Sequence, residues 1–187
     1  MGGYVMPYIT DHQQKFADLD LYLKNQNQLK RQANGGNSIL FSYEPKEEHL
    51  YILKAQELYA DTYEFIDISD LLVSFIDEDG WDDFEKYYSD FQNTPHVVFK
   101  SDDPSQDLFD RIISKILDAR NSGKIPCLIR SGCLIGTGIE NVNIMENKEV
   151  MATSAPLIIF YPATIENENI YFLNFKPASK YRCTLVK

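Results

Sequence analysis

The stretches that decide the fold are Ile125-Pro-Cys-Leu-Ile-Arg-Ser-Gly132 and Pro156-Leu-Ile-Ile-Phe-Tyr-Pro162. Each is a short apolar run of β-preferring residues that stops at polar, Gly or Pro residues. Such runs are typical of buried strands in a parallel sheet that helices cover on both faces. Open sheets of this kind bind ligands and partners where their strands end. We therefore expect Arg130 and Tyr161 to lie along one functional rim.

Helical and strand patterns alternate along the first two thirds of the chain, which predicts crossover connections between parallel strands. The expected fold class is α/β with three layers, a mostly parallel sheet flanked by helices, and antiparallel strands at the C-terminal edge. Residues 1–187 are predicted to form one domain. Strands are predicted at 38–43, 63–67, 95–99, 125–130, 157–161, 169–175 and 181–186. Helices are predicted from near Thr10 to residue 34, after Pro45, after a Ser69 cap, at 81–91, and from Pro104 to Asn121 after an Asp103 cap.

Apolar spacing predicts which side of each helix is buried. After Pro45, the leucines Leu50, Leu53 and Leu58 are predicted to face inward. The aromatic residues Phe84 and Tyr88 recur at helical spacing, and this stripe is interpreted as core rather than as a cofactor site.

Charge and composition exclude several classes of function. The net charge of −10 and the pI near 4.7 predict repulsion of phosphate backbones, so direct nucleic-acid binding is not expected. No apolar run is long enough to cross a bilayer, which predicts a cytoplasmic protein without membrane contact. The three Cys and three His residues do not fall at metal-ligand spacing, so neither a metal nor a cofactor is implied.

The segment from Gly132 to Gly138 fails both common phosphate-binding patterns. A P-loop would end in Gly-Lys-Ser/Thr, and the dinucleotide fingerprint would have its third glycine at position 141, which is Asn. The fold is therefore compatible with a degenerate P-loop-like domain that lacks Walker A. Carboxylates near strand ends leave one alternative open: a magnesium-dependent hydrolase or degenerate nucleotide-binding domain that uses Glu44, Glu48 and Asp67.

Four segments, in this order, resemble one protein family. They are Phe41-Ser-Tyr-Glu-Pro-Lys-Glu-Glu48, Ile129-Arg-Ser-Gly-Cys-Leu-Ile-Gly-Thr-Gly138, Pro156–Pro162, and Leu173-Asn-Phe followed by Tyr181-Arg182. The chain resembles BrxB-type proteins, small components of BREX phage-defence systems, from about residue 12 to its end. Two departures stand out: Ala163 replaces the family's usual Gly, and a Tyr-Pro-x-x-Arg element after the Gly-rich turn is absent.

The resemblance implies a non-enzymatic adaptor in a multi-protein antiviral system. The expected partners are other BREX components, namely a PglZ-like protein or the methyltransferase. Tyr and Arg are enriched in binding hot spots, so the predicted partner-binding rim is rich in them. Its members are Tyr43, Pro45, Glu48, Arg130, Tyr161, Pro162, Tyr181 and Arg182. The alternative interpretation is that Tyr43 and Tyr161 cap the core while Arg130 pairs with Glu48 or Asp67.

Overall fold

The computed structural model describes residues 7–101 and 106–187, with side chains from residue 12 onward. Strands in this part of the chain are β1 (Ser38–Tyr43), β2 (Tyr63–Asp67), β3 (Ile125–Ile129), β4 (Leu157–Glu166), β5 (Asn169–Phe172), β6 (Lys176–Ala178) and β7 (Cys183–Val186). The α-helices are α1 (Pro7–Lys24), α2 (Gln26–Gln32), α3 (Glu48–Tyr59), α4 (Ile68–Asp77), α5 (Trp81–Phe91), α6 (His96–Phe99), α7 (Leu108–Asn121), α8 (Asn141–Met145) and α9 (Lys148–Met151). Short 3₁₀ helices span Pro45–Glu47 and Ser131–Leu134.

Five strands form a parallel sheet in the order β2-β3-β4-β1-β7. Strand β4 continues beyond this sheet and pairs antiparallel with β5, which pairs antiparallel with β6. The predicted α/β class is therefore confirmed: a mostly parallel sheet carries a few antiparallel strands toward the C-terminus.

Helices cover both faces of the sheet, and alternate residues of the inner strands point into the two layers. Leu40 and Ile159 join the cluster beneath α4–α9, whereas Phe41 and Phe160 join the cluster beneath α1–α3. All six residues of β1 are buried. Burial on both faces explains why the inner strands are continuous apolar runs rather than alternating ones.

The prediction of a strand at residues 95–99 is wrong. Pro95 has helical backbone angles and precedes α6, where Val98 and Phe99 are buried. The Phe99 ring packs 5.7 Å from Phe75 and 6.0 Å from Phe84, measured between ring centroids. A short apolar run can be either strand or helix, and here its packing under α4 and α5 decides.

The predicted inward face of α3 is also wrong. Leu50, Leu53 and Leu58 are exposed by 46%, 62% and 48%, whereas Tyr51 and Ile52 are buried. The Tyr51 ring packs against aromatic rings on β1 and α1, so aromatic packing selects a face that differs from the leucine stripe.

Several helix boundaries differ from the sequence predictions. Helix α1 begins at Pro7 rather than near Thr10, and the side chain of Thr10 lies outside the described residues, as do Asp103 and Pro104. Helix α7 begins at Leu108, after Asp107, whose carboxylate accepts a hydrogen bond from the Asp110 N–H. The cap of α4 is Asp67 and not Ser69.

Ala163 stands where BrxB-type proteins, which this chain resembles, usually have Gly. Its backbone φ angle is not positive. It lies in β4 opposite Phe172, so an alanine fits there without strain. Among the helices of the described part of the chain, none combines the length and apolar character that crossing a membrane requires.

Candidate functional site

The carboxyl ends of β1, β2, β3 and the parallel part of β4 meet at one edge of the sheet. We call this edge the carboxyl rim, defined by Tyr43, Glu48, Asp67, Arg130 and Pro162. Tyr43 pairs with Pro162, and Asp67 pairs with Ile129, the residue before Arg130. The main chain at these predicted residues therefore converges as expected.

Tyr43 and Glu48 connect the end of β1 to the first turn of α3. The Tyr43 hydroxyl donates a 2.9 Å hydrogen bond to Glu48 Oε2. Tyr43 is 1% exposed. This burial is the main reason that the pKa of its hydroxyl is raised above the ordinary value, and the nearby Glu48 carboxylate raises it further. Glu48 also lies in the first turn of α3, where a negative charge complements the helix dipole.

Asp67 and Arg130 form an ion pair between the ends of β2 and β3. Asp67 Oδ2 contacts Arg130, while Oδ1 accepts hydrogen bonds from the Ser69 N–H at 2.9 Å and the Ser69 hydroxyl at 2.6 Å. The Arg130 backbone is left-handed, with φ of 54°, and its side chain is 47% exposed. Arg130 thus presents its guanidinium to solvent while one nitrogen is held by Asp67.

The loops after β1 and β3 face each other across the end of β4. Burial raises the pKa of the half-buried Cys133 thiol, Glu48 raises it further, and Arg130 opposes the rise. The Ser131 hydroxyl donates a 2.7 Å hydrogen bond to the Phe160 carbonyl, which fixes the β3 loop onto β4. Gly132 sits beside Pro162, because a Cβ added to it would lie 3.6 Å from Pro162 Cγ.

The Gly-rich segment has a packing role in this structure. A Cβ added at Gly138 would lie 2.8 Å from the Cβ of His96, so the glycine lets the loop approach α6 closely. Gly136 and Gly138 both have left-handed backbones that favour glycine. The relation to P-loop proteins remains a prediction.

Two of the three carboxylates in the hydrolase alternative, Glu48 and Asp67, are engaged by this chain's own groups. Glu48 accepts from Tyr43, and Asp67 is shared between Arg130 and the start of α4, whereas Glu44 is exposed. A magnesium ion at Asp67 would have to displace a guanidinium. Among the residues with described side chains, no group of three or more His, Cys, Asp or Glu residues is arranged to hold a metal.

The backbone of Tyr161 and Pro162 lies at the carboxyl rim, but the side chains of both residues are buried. The Tyr161 ring stacks on Phe172 at a centroid distance of 4.7 Å, in the layer opposite to that of Tyr43. Burial raises the pKa of Tyr161, with Glu140 as the next cause. Of the predicted residues at this edge, Pro45, Glu48 and Arg130 keep side-chain surface for a partner.

Tyr181 and Arg182 lie at the opposite edge of the sheet, so the interpretation that all eight predicted residues share one rim is wrong for these two. They precede β7, which runs parallel to β1 with Cys183 opposite Ser38. The Arg182 side chain lies 3.7 Å from Glu146 and over the ring of Tyr181. Because β7 runs parallel to β1, the two residues before β7 lie at the edge of the sheet where the parallel strands begin.

We call this opposite edge the amino rim, defined by Gly36, Asn37, Arg120 and Arg182. Asn37 is 3% exposed, and its amide nitrogen lies 2.9–3.0 Å from the carbonyl oxygens of Val150, Thr153 and Ala155. The Arg120 guanidinium donates to the carbonyls of Val150 and Ala155 at 2.8 and 2.9 Å. A buried polar network thus fixes the segment that leads into β4.

The sequence predictions missed an exposed apolar surface beside the carboxyl rim. Leu50, Leu53 and Leu58 lie on the outer side of α3, which begins at Glu48. Leu50 and Leu58 line a groove of about 910 Å³ between α1 and α3, whose other lining residues include Phe16 and Lys54. The signal was present as leucines at helical spacing, but the spacing alone did not distinguish an outer stripe from an inner one.

Sheet order and rim geometry define the chain as a three-layer α/β protein with a five-stranded parallel sheet. Comparison with models of protein families, with curated proteins and with solved structures finds no match to this chain.

Proposed function

We propose that this protein is a non-enzymatic adaptor of a BREX-type phage-defence system, acting in the cytoplasm. Its partner would be the PglZ-like protein or the methyltransferase of that system. The proposal combines the resemblance of four segments to BrxB-type proteins with one structural observation. That observation is the exposed leucine stripe of α3, which adjoins the carboxyl rim.

The leucine stripe supports partner binding because exposed large apolar side chains in a cluster are typical of interaction sites. Leu50, Leu53 and Leu58 are each 46–62% exposed on one helix, and Leu50 and Leu58 line a groove of about 910 Å³. Glu48 begins the same helix, and the Arg130 guanidinium lies across the rim from it. An apolar centre with charged neighbours is the usual anatomy of an interface.

The carboxyl rim supports binding rather than chemistry through the pairing of its charges. A catalytic carboxylate needs a free lone pair directed at substrate or metal. Asp67 accepts hydrogen bonds from the chain's own Arg130 and Ser69, and Glu48 Oε2 accepts one from Tyr43, so these groups compete with a substrate or metal for the carboxylates. These contacts orient the rim and leave Arg130 half exposed for a partner's carboxylate.

Co-purification with affinity-tagged PglZ-like protein and methyltransferase from the same genome tests this function. We expect the double variant Leu50→Glu and Leu53→Glu to lose at least one partner. The matched control is Leu21→Glu with Val73→Glu, two side chains of similar exposure, 56% and 55%, on other helices. Both variants should fold, since the substituted side chains are exposed in each.

Arginine variants compare the two rims in the same assay. We expect Arg130→Glu to weaken recovery of the partner and Arg182→Glu to leave it unchanged. Unchanged recovery of both partners with the leucine double variant and with Arg130→Glu would contradict the proposal. A melting temperature that rises with Mg²⁺ or a nucleotide, and falls back in Asp67→Asn, would favour the hydrolase or nucleotide-binding alternative instead.

A further inference from the structure

Strand β2 is an edge of the parallel sheet with an open groove beside it. It is the first strand in the sheet order, and within residues 7–101 and 106–187 no strand pairs with its outer side. A groove of about 440 Å³ runs along β2 between its edge and helices α4 and α7. By contrast, α1 and α2 pack against β7, the strand at the other edge.

Backbone groups of β2 point into this open edge. The Ile125 N–H donates to the Thr62 carbonyl, which sets the side of β2 that faces β3. The backbone N–H and C=O groups of successive residues point to alternate sides of a strand. Those of Glu64 and Ile66 therefore point to the same side as the Thr62 carbonyl and bond to β3. The N–H groups of Tyr63, Phe65 and Asp67 and the carbonyl of Phe65 therefore point away from the sheet. Such groups can accept an added strand.

The charged side chains around the groove are mostly acidic. Glu64, Asp67, Asp70 and Asp118 line it together with a single cation, Lys115. Glu64 pairs with Lys124 at 3.4 Å, and Asp67 pairs with Arg130, so Asp70 and Asp118 remain against Lys115 alone and leave one excess negative charge. A second copy of this chain would bring the same acids to the same edge, and like charges would oppose that pairing.

We propose that the outer edge of β2 binds an extended, basic segment of a partner protein by strand addition. Main-chain hydrogen bonds to Phe65 would hold the segment in place. Its alternate Lys or Arg side chains would face Glu64, Asp70 and Asp118, while the other side chains would lie over the half-buried Phe65. This surface is separate from the α3 stripe, and its test does not depend on the adaptor role.

The probe is an amidated heptapeptide that alternates Lys and Val and carries fluorescein at its amino terminus, measured by fluorescence anisotropy and by amide exchange of the full chain. We expect binding at micromolar to submillimolar concentration, with slowed exchange at the amides of Tyr63, Phe65 and Asp67. Reversing charge with Glu64→Lys and Asp118→Lys should weaken binding about tenfold or more. The matched control, Glu85→Lys with Asp90→Lys, makes the same charge change on exposed residues of α5 and should change affinity less than about twofold.

N-methylated peptides test the strand geometry without altering the protein. Only alternate residues of an added strand bond to its neighbour, so methylation of one alternate set should abolish binding and methylation of the other should not. Equal sensitivity to both sets, no binding at about 1 mM peptide, or equal loss in the α5 control would overturn the proposal. A dimer of the free protein that Glu64→Lys dissociates would overturn it too, because it would make a second copy the occupant.

Discussion

The amino rim and the carboxyl rim of the sheet hold their polar side chains in different ways. At the amino rim, Asn37 is 3% exposed and its amide lies within hydrogen-bond distance of three carbonyls. At the carboxyl rim, the Arg130 side chain is 47% exposed and has one carboxylate partner, Asp67. The first arrangement stabilises the fold, whereas the second leaves hydrogen-bonding capacity for another molecule.

Strand direction explains why the two rims differ. Four of the five parallel strands begin at the amino rim after a helix, and β7 begins there after β6, so the connecting segments there must be fixed for the strands to align. At the carboxyl rim the loops from β1 and β3 lead to opposite layers, α3 on one face and α8 on the other. In α/β sheets, ligands bind outside the carboxyl ends of strands whose following loops diverge in this way. The variants below test this contrast.

Glycine-to-alanine changes should show the largest difference between the rims. A Cβ at Gly36 would lie 2.2 Å from the backbone oxygen of Arg182, so the start of β1 or of β7 must shift. We expect Gly36→Ala to lower the free energy of unfolding by about 3 kcal/mol or more. Urea denaturation followed by circular dichroism measures it.

Gly132→Ala is the control at the carboxyl rim. Its Cβ would lie 3.5 Å from Leu173 and 3.6 Å from Pro162, both ordinary contacts, and we expect a change within about 1 kcal/mol. Equal destabilisation by the two variants would show that the amino rim is not the more rigid edge.

Removing the Asn37 amide should produce the next largest effect. Asn37→Ala leaves the Thr153 carbonyl without its side-chain donor and reduces the donors to Val150 and Ala155 to Arg120 alone. We expect a loss of about 2–3 kcal/mol in the free energy of unfolding. The matched control is Asn27→Ala on the exposed surface of α2, where a change within about 0.5 kcal/mol is expected. A loss below that of the control would contradict the structural role of Asn37.

The fold was largely predictable because its signals are local. Strands β1 and β2 were predicted with their observed bounds. Strand β1 is a fully buried run of mostly apolar residues, and β2 is a short run in which aromatic and β-branched residues outnumber its two acids. Strand β4 was predicted only to residue 161, and its antiparallel continuation to Glu166 contains polar residues. That continuation depends on pairing with β5, which is a tertiary contact rather than a local preference.

The candidate site was less predictable because it depends on how strands pair. Nothing in the residues of β7 says that it joins β1 in parallel, yet that pairing moves Tyr181 and Arg182 to the amino rim. Burial is likewise decided by the neighbouring elements, and it leaves Tyr43 and Tyr161 without exposed surface. The sequence predicted that Arg130 could pair with either Glu48 or Asp67. The structure shows the pair with Asp67.

Arg130 should reveal a conformational cost that the carboxyl rim tolerates. Its left-handed backbone disfavours any residue with a Cβ, and we expect Arg130→Gly to be more stable than Arg130→Ala by about 1 kcal/mol. At Lys86, which also pairs with an acid but lies within helix α5, the order should reverse, with Gly less stable than Ala by about 1 kcal/mol. Thermal or urea unfolding of the four variants gives both differences. If the Gly and Ala variants had the same order of stability at both positions, the left-handed backbone of Arg130 would not be a source of strain at the carboxyl rim.

Alkaline pH should separate the two rims through their thiols. Burial raises the pKa of Cys183, at the amino rim, from 9.0 to about 12. Since the folded state keeps this proton while the unfolded state loses it, stability is full below pH 9 and falls as pH rises toward 12. One such thiol costs about 0.8 kcal/mol between pH 8.0 and 9.5.

We expect Cys183→Ala to reduce the pH-dependent loss by that amount in urea unfolding at the two pH values. Cys133→Ala, at the carboxyl rim, should reduce it less, because burial is the main cause of the raised pKa at both thiols and Cys133 is only half-buried, whereas Cys183 is buried. An equal or larger reduction in Cys133→Ala would mean that the carboxyl rim is as closed to solvent as the amino rim.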